Sequence, residues 1–347
     1  MRIARGRSRG DRIRRRPRST LTFRAWRTCI AVATLLLYAT QLSPALAQAK
    51  YPARPIRIVS PFAAGSVSDI SLRLLADKLA ARLSGQVVID NQPRAGGVTA
   101  AAAVLSSPPD GYTVALFSTS TAISASLFKQ LPYDPVRDFA PVSTVSTFAN
   151  VLATGAQSRY ATLGDVIAAV RARPGALNIG TTTVGSTNHL AATLLKAMLA
   201  LDVVIVPYRT PGDLLTAAIR NDVDVIVQSY GALKAALEDK QLRPLATTTP
   251  GRAPYLPEVP SVQEAAAKEF DVVTWNGFFV PAKTPTDVIA LLNAATRSVL
   301  QDGELGRRFL DLGLEPLPST PEELGARMAA EVARWARVIE EAGIEKQ

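Results

Sequence analysis

The sequence writes the same local device twice, and that repetition narrows the folds open to it. In the first copy the apolar run Ile56-Arg57-Ile58-Val59 enters Ser60-Pro61-Phe62-Ala63-Ala64-Gly65-Ser66-Val67-Ser68, a turn without bulky polar side chains. A helix is predicted from near Asp69, because Leu72, Leu75, Leu79 and Leu83 recur at spacings of 3, 4 and 4. In the second copy Leu177-Asn178-Ile179 enters Gly180-Thr181-Thr182-Thr183-Val184-Gly185-Ser186-Thr187-Asn188-His189, and a helix then carries Leu190, Leu194, Leu195 and Met198. Strand, loop and helix in alternation predict a parallel sheet covered on both faces, with ligands held outside the carboxyl ends of the strands.

Both loops open a helix, and the first turn of a helix leaves backbone N–H groups unpaired and carries positive potential. A carboxylate or phosphate is a natural guest there, and Gly65 lets the backbone approach it closely. Ser66 followed by Asp69 also fits plain capping, the serine on an amide and the acid in the first turn. Both readings stand at this point.

The intervening and following segments continue the alternation. Val87-Val88-Ile89 reads as a strand before a turn-rich loop through Gly97, alanines 100–103 with Leu105 read as a helix, and Tyr112 to Phe117 reads as a strand ending in the hydroxyl cluster Ser118-Thr119-Ser120-Thr121. Phe139 to Ala153 is extended and apolar with no helical period, a predicted first crossover between lobes. A helix over Leu163 to Arg171, a strand Val203 to Val206 meeting Pro207-Tyr208, a helix over Asp213 to Arg220 and a buried strand Val223 to Val227 ending at Gln228 follow. Asp271 to Val280 is extended again and returns the chain, and three helices finish it, the last presenting Leu324, Met328, Val332 and Trp335 on one face. The expected architecture is α/β and two-lobed, with two crossover segments and a cleft between the lobes. Lobe 1 is expected over 50–150 plus 275–347 and lobe 2 over 151–274; 347 residues exceed what one core usually serves.

The formal charge of +10 suggests nucleic acid, but residues 1–28 hold eleven arginines against the single acid Asp11, which leaves the rest of the chain neutral overall. After that basic stretch come an apolar run from Cys29 to Thr40 and the small-residue pattern Ala45-Leu46-Ala47. A span needs about 20 apolar residues, so this reads as a secretory signal over 1–49, cleaved after Ala47 or Ala49, and the protein is expected in the periplasm without nucleic-acid partners. The competing reading is a basic arm that binds DNA or membrane. Cys29, the only cysteine, stands at the front of the apolar run rather than at its end, which argues against a lipid anchor and leaves the mature chain without a thiol.

Cofactor and catalytic signatures are missing. There is no phosphate-binding G-x-x-x-x-G-K-[ST] loop, no G-x-G-x-x-G after a strand, and only one histidine, His189, which makes zinc improbable. No cofactor and no metal are expected. An enzyme would have to draw its proton-transfer group from Asp69 or His189. Tyr208, Tyr230, Trp275 and Phe278 fit the core or the lining of a cleft. Gln228 offers an uncharged donor and acceptor, and it fits either loop bonding or contact with a ligand lacking an amino group.

The wording of several segments then resembles one family. Pro61 through Asp69 is similar to the Pro-Phe-x-Pro-Gly-Gly-x-Thr-Asp segment of the tripartite tricarboxylate transporter substrate-binding proteins, the Bug family of periplasmic receptors. Tyr51-Pro52-x-Arg54-Pro55-Ile56, Asp110-Gly111-Tyr112-Thr113, Leu131-Pro132-Tyr133-Asp134-Pro135, Val206-Pro207-Tyr208, Val223-Asp224-Val225, Trp275-x-Gly277 and Pro281-Ala282-x-Thr284-Pro285 match it in order. The resemblance implies a type II binding protein that closes over a small organic carboxylate. Its partners would be the membrane components of such a transporter, or a sensor protein, and a monomer is expected. The implied contacts are Gly65, Ser66, Ser68 and Asp69 from the first loop and Thr181, Thr182, Gly185, Ser186 and Thr187 from the second. Ser118, Thr119, Tyr208 and Gln228 complete the candidate site by their positions at strand ends. Ala64-Gly65-Ser66 departs from the family's Pro-Gly-Gly, and Thr210-Pro211 stands for a glycine pair after Tyr208.

Overall fold

The computed structural model describes residues 51–93, 97–341 and 343–346. The predicted export segment lies outside the described residues. The first unit is strand β1 (Ile56–Ser60) followed by helix α1 (Val67–Leu83), whose Leu72, Leu75 and Leu79 are buried. Burial of each such side chain stabilises the helix by about 1.5–3 kcal/mol, which fixes its apolar face on the sheet. Strand β2 (Val87–Asn91), helix α2 (Val98–Leu105) and strand β3 (Thr113–Ser118) complete this side, with β1 lying parallel to both β2 and β3.

Helix α3 (Thr119–Leu127) follows β3 directly. The 17-residue strand β4 (Phe139–Gly155) then leads to helix α4 (Leu163–Ala172) and to strand β5 (Asn178–Thr181) with helix α5 (Thr187–Met198). Strand β6 (Val204–Pro207), helix α6 (Pro211–Ile219), strand β7 (Val225–Ser229), helix α7 (Tyr230–Glu238) and strand β8 (Leu242–Thr247) come next. A short helix α8 (Val262–Ala265) precedes the second crossing strand, β9 (Val273–Pro281). Helices α9 (Thr286–Leu300), α10 (Gly303–Asp311) and α11 (Pro321–Glu341), with the two-residue strand β10 (Glu315–Pro316) before the last, end the chain.

The sheet order is β2-β1-β3-β9-β4-β7-β5-β6, with β8 and β10 each paired to β4. Parallel triplets occupy the two ends, β2-β1-β3 and β6-β5-β7. Between them the crossing strands β9 and β4 run antiparallel to each other and to their outer neighbours β3 and β7. Sequence periodicity expected parallel sheets throughout; the antiparallel centre arises because both crossovers enter the sheet as long strands. Along β4, Phe139 to Ala149 pairs with β9, while Asn150 to Gly155 pairs with β7 and β8.

One buried cluster runs under both ends of this sheet, joining Val59, Phe117, Phe279 and Trp335 to Leu163, Leu190, Leu195 and Val225. A smaller one packs α6 and α7 on the other face through Leu214, Ile226 and Leu233. Leu324, Met328 and Trp335 of α11 are buried as the spacing predicts.

Candidate ligand site between helix starts

Helices α1, α3, α5 and α7 each begin where a sheet strand ends, at the carboxyl ends of β1, β3, β5 and β7. The loops before α1 and α5, the first and second loops predicted from sequence, share their backbone geometry closely. Gly65 has φ +80° and Gly185 φ +82°. The serine after each is the N-cap, Ser66 at φ −68°, ψ 160° and Ser186 at φ −69°, ψ 157°. Ser66 Oγ accepts the Asp69 N–H at 3.3 Å, and Ser186 Oγ accepts the His189 N–H at 3.2 Å. Left-handed backbone is open to glycine at no steric cost, which is why each turn carries one at that position.

In the first loop the Asp69 carboxylate is spent on the protein. Oδ2 accepts the Gly65 N–H at 2.8 Å and Arg73 Nε at 3.0 Å; Oδ1 accepts Asn91 Nδ2 at 2.8 Å and Arg73 Nη2 at 3.1 Å. Burial alone would raise its pKa, but these bonds outweigh it and hold the carboxyl below its usual value. Asn91 Nδ2 also donates to the Phe62 carbonyl at 3.0 Å, so the aspartate and asparagine together set the path of the turn.

A cavity of about 400 Å³ lies between the first loop and α3 on one side and the second loop on the other. Pro61, Phe62, Pro93 and Gly97 line it with Ser118, Ser120, Ser124, Leu127 and Phe128, and residues 183–186 close the far side. None of these lining residues is ionisable. Among the described residues, the polar groups available to a guest are therefore hydroxyls and backbone amides.

Of the residues picked out by sequence, Ser118, Gly185 and Ser186 line this cavity. Gly65 and Ser66 stand at the start of α1, outside the described lining of the cavity, while Ser68 and Asp69 are buried in the first turn of α1. Thr119 is fully buried, and its Oγ1 accepts the Trp275 N–H at 3.1 Å. Thr181 is also fully buried, its Oγ1 donating to the Thr182 carbonyl, and Thr182 Oγ1 bonds Ser186 Oγ at 3.1 Å. Thr187 is buried in α5, Tyr208 packs on the α6–α7 cluster with its N–H on the Thr181 carbonyl, and Gln228 is buried at the end of β7. His189 follows the second cap, and desolvation holds its imidazole below the ordinary pKa, toward the neutral form. Trp275 and Phe278 are buried core residues.

Sequence reasoning missed Phe62, Leu127 and Phe128 as cavity walls. The last two belong to α3 and its end, where the sequence shows only a hydroxyl cluster at the end of a strand and predicts no helix. Its signal was a capping box, in which Ser118 Oγ accepts from the first turn and Thr121 Oγ1 accepts the Ser118 N–H at 3.4 Å.

A family model described as "Tripartite tricarboxylate transporter family receptor" matches residues 71–344. The chain is similar to the solved structure of R. palustris Rpa4515 with adipate, at 31% identity and TM-score 0.77, covering 85% of this chain and 99% of that one. It is similar to the periplasmic binding protein BugD, at 28% identity and TM-score 0.76, over 86% and 100% of the two chains. MatC from Rhodopseudomonas palustris with bound malate matches at 30% identity and TM-score 0.74, over 83% and 100%. These neighbours are two-lobed binding proteins, and the matched span takes in the second loop, both crossing strands and the closing helices. By that match, this chain belongs to the tripartite tricarboxylate transporter family of receptors.

Proposed function

We propose that this chain is a periplasmic receptor that closes its two lobes over a small organic carboxylate, a di- or tricarboxylate or a related acid. The observation that carries the reading is the pair of matching glycine–serine helix starts, the second of them lining a cavity whose described lining residues are all neutral. Two helix N-termini stabilise one anion without a counter-charge, each by about 0.3–1 kcal/mol or more when partly buried. The relatives Rpa4515 and MatC hold adipate and malate, acids of this class.

In this reading Ser118, Gly185 and Ser186 meet the ligand with Gly65 and Ser66. Ser68, Thr181, Thr182 and Thr187 support the two loops, Thr119 and Tyr208 the strand ends, and Asp69 sets the first turn. The lobes divide at 50–150 plus 275–347 and 151–274, supported by the change of partners along β4 after Ala149. The export segment is removed after Ala47 or Ala49, and the monomeric receptor passes its ligand to the membrane components of a tripartite tricarboxylate transporter or to a sensor.

A panel of succinate, malate, citrate, glutarate and adipate should raise the melting temperature, because a ligand at a hundred times its Kd stabilises by about 2.7 kcal/mol. No product should form on prolonged incubation. Product that disappears in His189→Ala would replace the receptor by an enzyme acting on a small carboxylate.

A further inference from the structure

The amide that ends β7 has two halves in different states. Gln228 is only 6% exposed. Its Oε1 accepts the Ser229 N–H at 2.8 Å and Asn188 Nδ2 at 3.2 Å. Its Nε2 finds no acceptor among the described residues.

Neither amide can be turned over without loss. The Ser229 amide is backbone and only donates, so the Gln228 atom facing it must be the oxygen. Asn188 Nδ2 also faces the Val227 carbonyl at 3.3 Å, and a carbonyl only accepts, so that side chain is fixed as well. Nε2 is carried on the same carbon as Oε1, which places it where the first turn of α5 meets the start of α7. Ser186, two residues before Asn188 on that turn, lines the cavity. Folded proteins leave few buried donors unpaired, and this one, on the helix turn that continues from the cavity-lining Ser186, calls for an acceptor.

We propose that Gln228, held by Asn188, is a specificity element of the cleft: a fixed, neutral hydrogen-bond donor that takes an acceptor oxygen at the far end of the ligand. The inference rests on the receptor reading above. With its oxygen consumed, the side chain cannot serve a ligand N–H. A distal carboxylate or hydroxyl offers lone pairs to Nε2, whereas a distal ammonium has none and would lose its hydration against the positive end of an N–H dipole. Asn188 acts as a positioning residue. The ligand class is thereby narrowed to dicarboxylates and hydroxy acids, as against amino acids that present their ammonium at this end.

The test is calorimetry on the purified protein with length-matched acids whose far ends differ: adipate, 5-hydroxypentanoate and 5-aminopentanoate, then glutarate with 4-aminobutyrate. Wild type should bind the diacid at least tenfold more tightly than the amino acid, with the hydroxy acid between. Gln228→Glu keeps an oxygen for Ser229 and Asn188 but puts a second oxygen where the NH₂ stood, and should shrink that ratio at least tenfold or reverse it. Asn188→Ala removes one of the two bonds on Oε1 and leaves the Ser229 N–H on it, so diacid binding should persist and the ratio should fall, but by less than in Gln228→Glu. Equal affinities across each set in wild type, or a ratio unchanged in both variants, would overturn the proposal. If wild type bound none of the acids, the receptor reading itself would fall, and this one with it.

Discussion

Gly185→Val is expected to cost at least about a hundredfold in carboxylate affinity, which corresponds to about 2.7 kcal/mol. The residue stands at φ +82°, where a β-branched side chain is strained by about 1–2 kcal/mol. A Cβ there would also lie 2.3 Å from Leu127 Cδ2. Leu127 is itself buried, so it cannot swing into solvent; the loop and the end of α3 must separate or the leucine must repack, at about 1–3 kcal/mol. Both residues line the same cavity, which makes the separation a direct change in the space offered to a ligand. Gly65→Val supplies the comparison, because a Cβ at Gly65 meets no protein atom within 4 Å, which leaves the φ +80° strain and its own contact with the ligand. Titration calorimetry with adipate should rank wild type, Gly65→Val and Gly185→Val in falling affinity. Wild-type affinity in Gly185→Val would remove the second loop from the site.

Asp69→Ala should destabilise the fold by about 1–3 kcal/mol. It removes the acceptor of the Gly65 N–H and one of the two acceptors of Asn91 Nδ2, which keeps the Phe62 carbonyl, each bond worth about 0.5–1.5 kcal/mol net, and it releases Arg73, whose half-exposed guanidinium adds little. The pH dependence follows from the sign of the shift. The folded carboxyl is held below its unfolded value of about 3.9, so its contribution is complete above that pH and is lost as pH falls through the lower, folded value. Urea melts of wild type and variant should therefore differ most at neutral pH and converge in acid below about pH 4. A constant difference down to pH 2 would show that the carboxylate's charge is irrelevant to holding the turn.

The parts of this molecule governed by contacts close in sequence could be read before the structure. Leu72, Leu75 and Leu79 announce α1 by spacing, and the two glycine–serine turns are visible as words because caps are made by neighbours. Arg73 lies one turn from Asp69 and was within reach of the same reasoning; Asn91, on a different strand, was not. Helix α3 escaped because serine and threonine are weak helix formers, and its stability comes from the capping box and the burial of Ile123 and Leu127. Gln228 could be seen as an amide at a strand end. Which half of it was already used depends on Asn188, forty positions earlier in the chain, and no local pattern records that.

Strand β4 gives residues 139–149 to one end of the sheet and 150–155 to the other, and the main buried cluster draws on residues from both. Neither end can lose its structure without exposing apolar surface and unpaired strand edge on the other. Two-lobed proteins with separate cores often melt in two steps; this one should show a single endotherm, with calorimetric and van't Hoff enthalpies in agreement. Two resolved endotherms would show that the shared strand does not couple them. A ligand touching a few atoms at the helix starts would then protect the whole chain, closing segments included, from heat and proteases. Cooperativity of that kind does for residues 51–346, which hold no cysteine, what cross-links do for others.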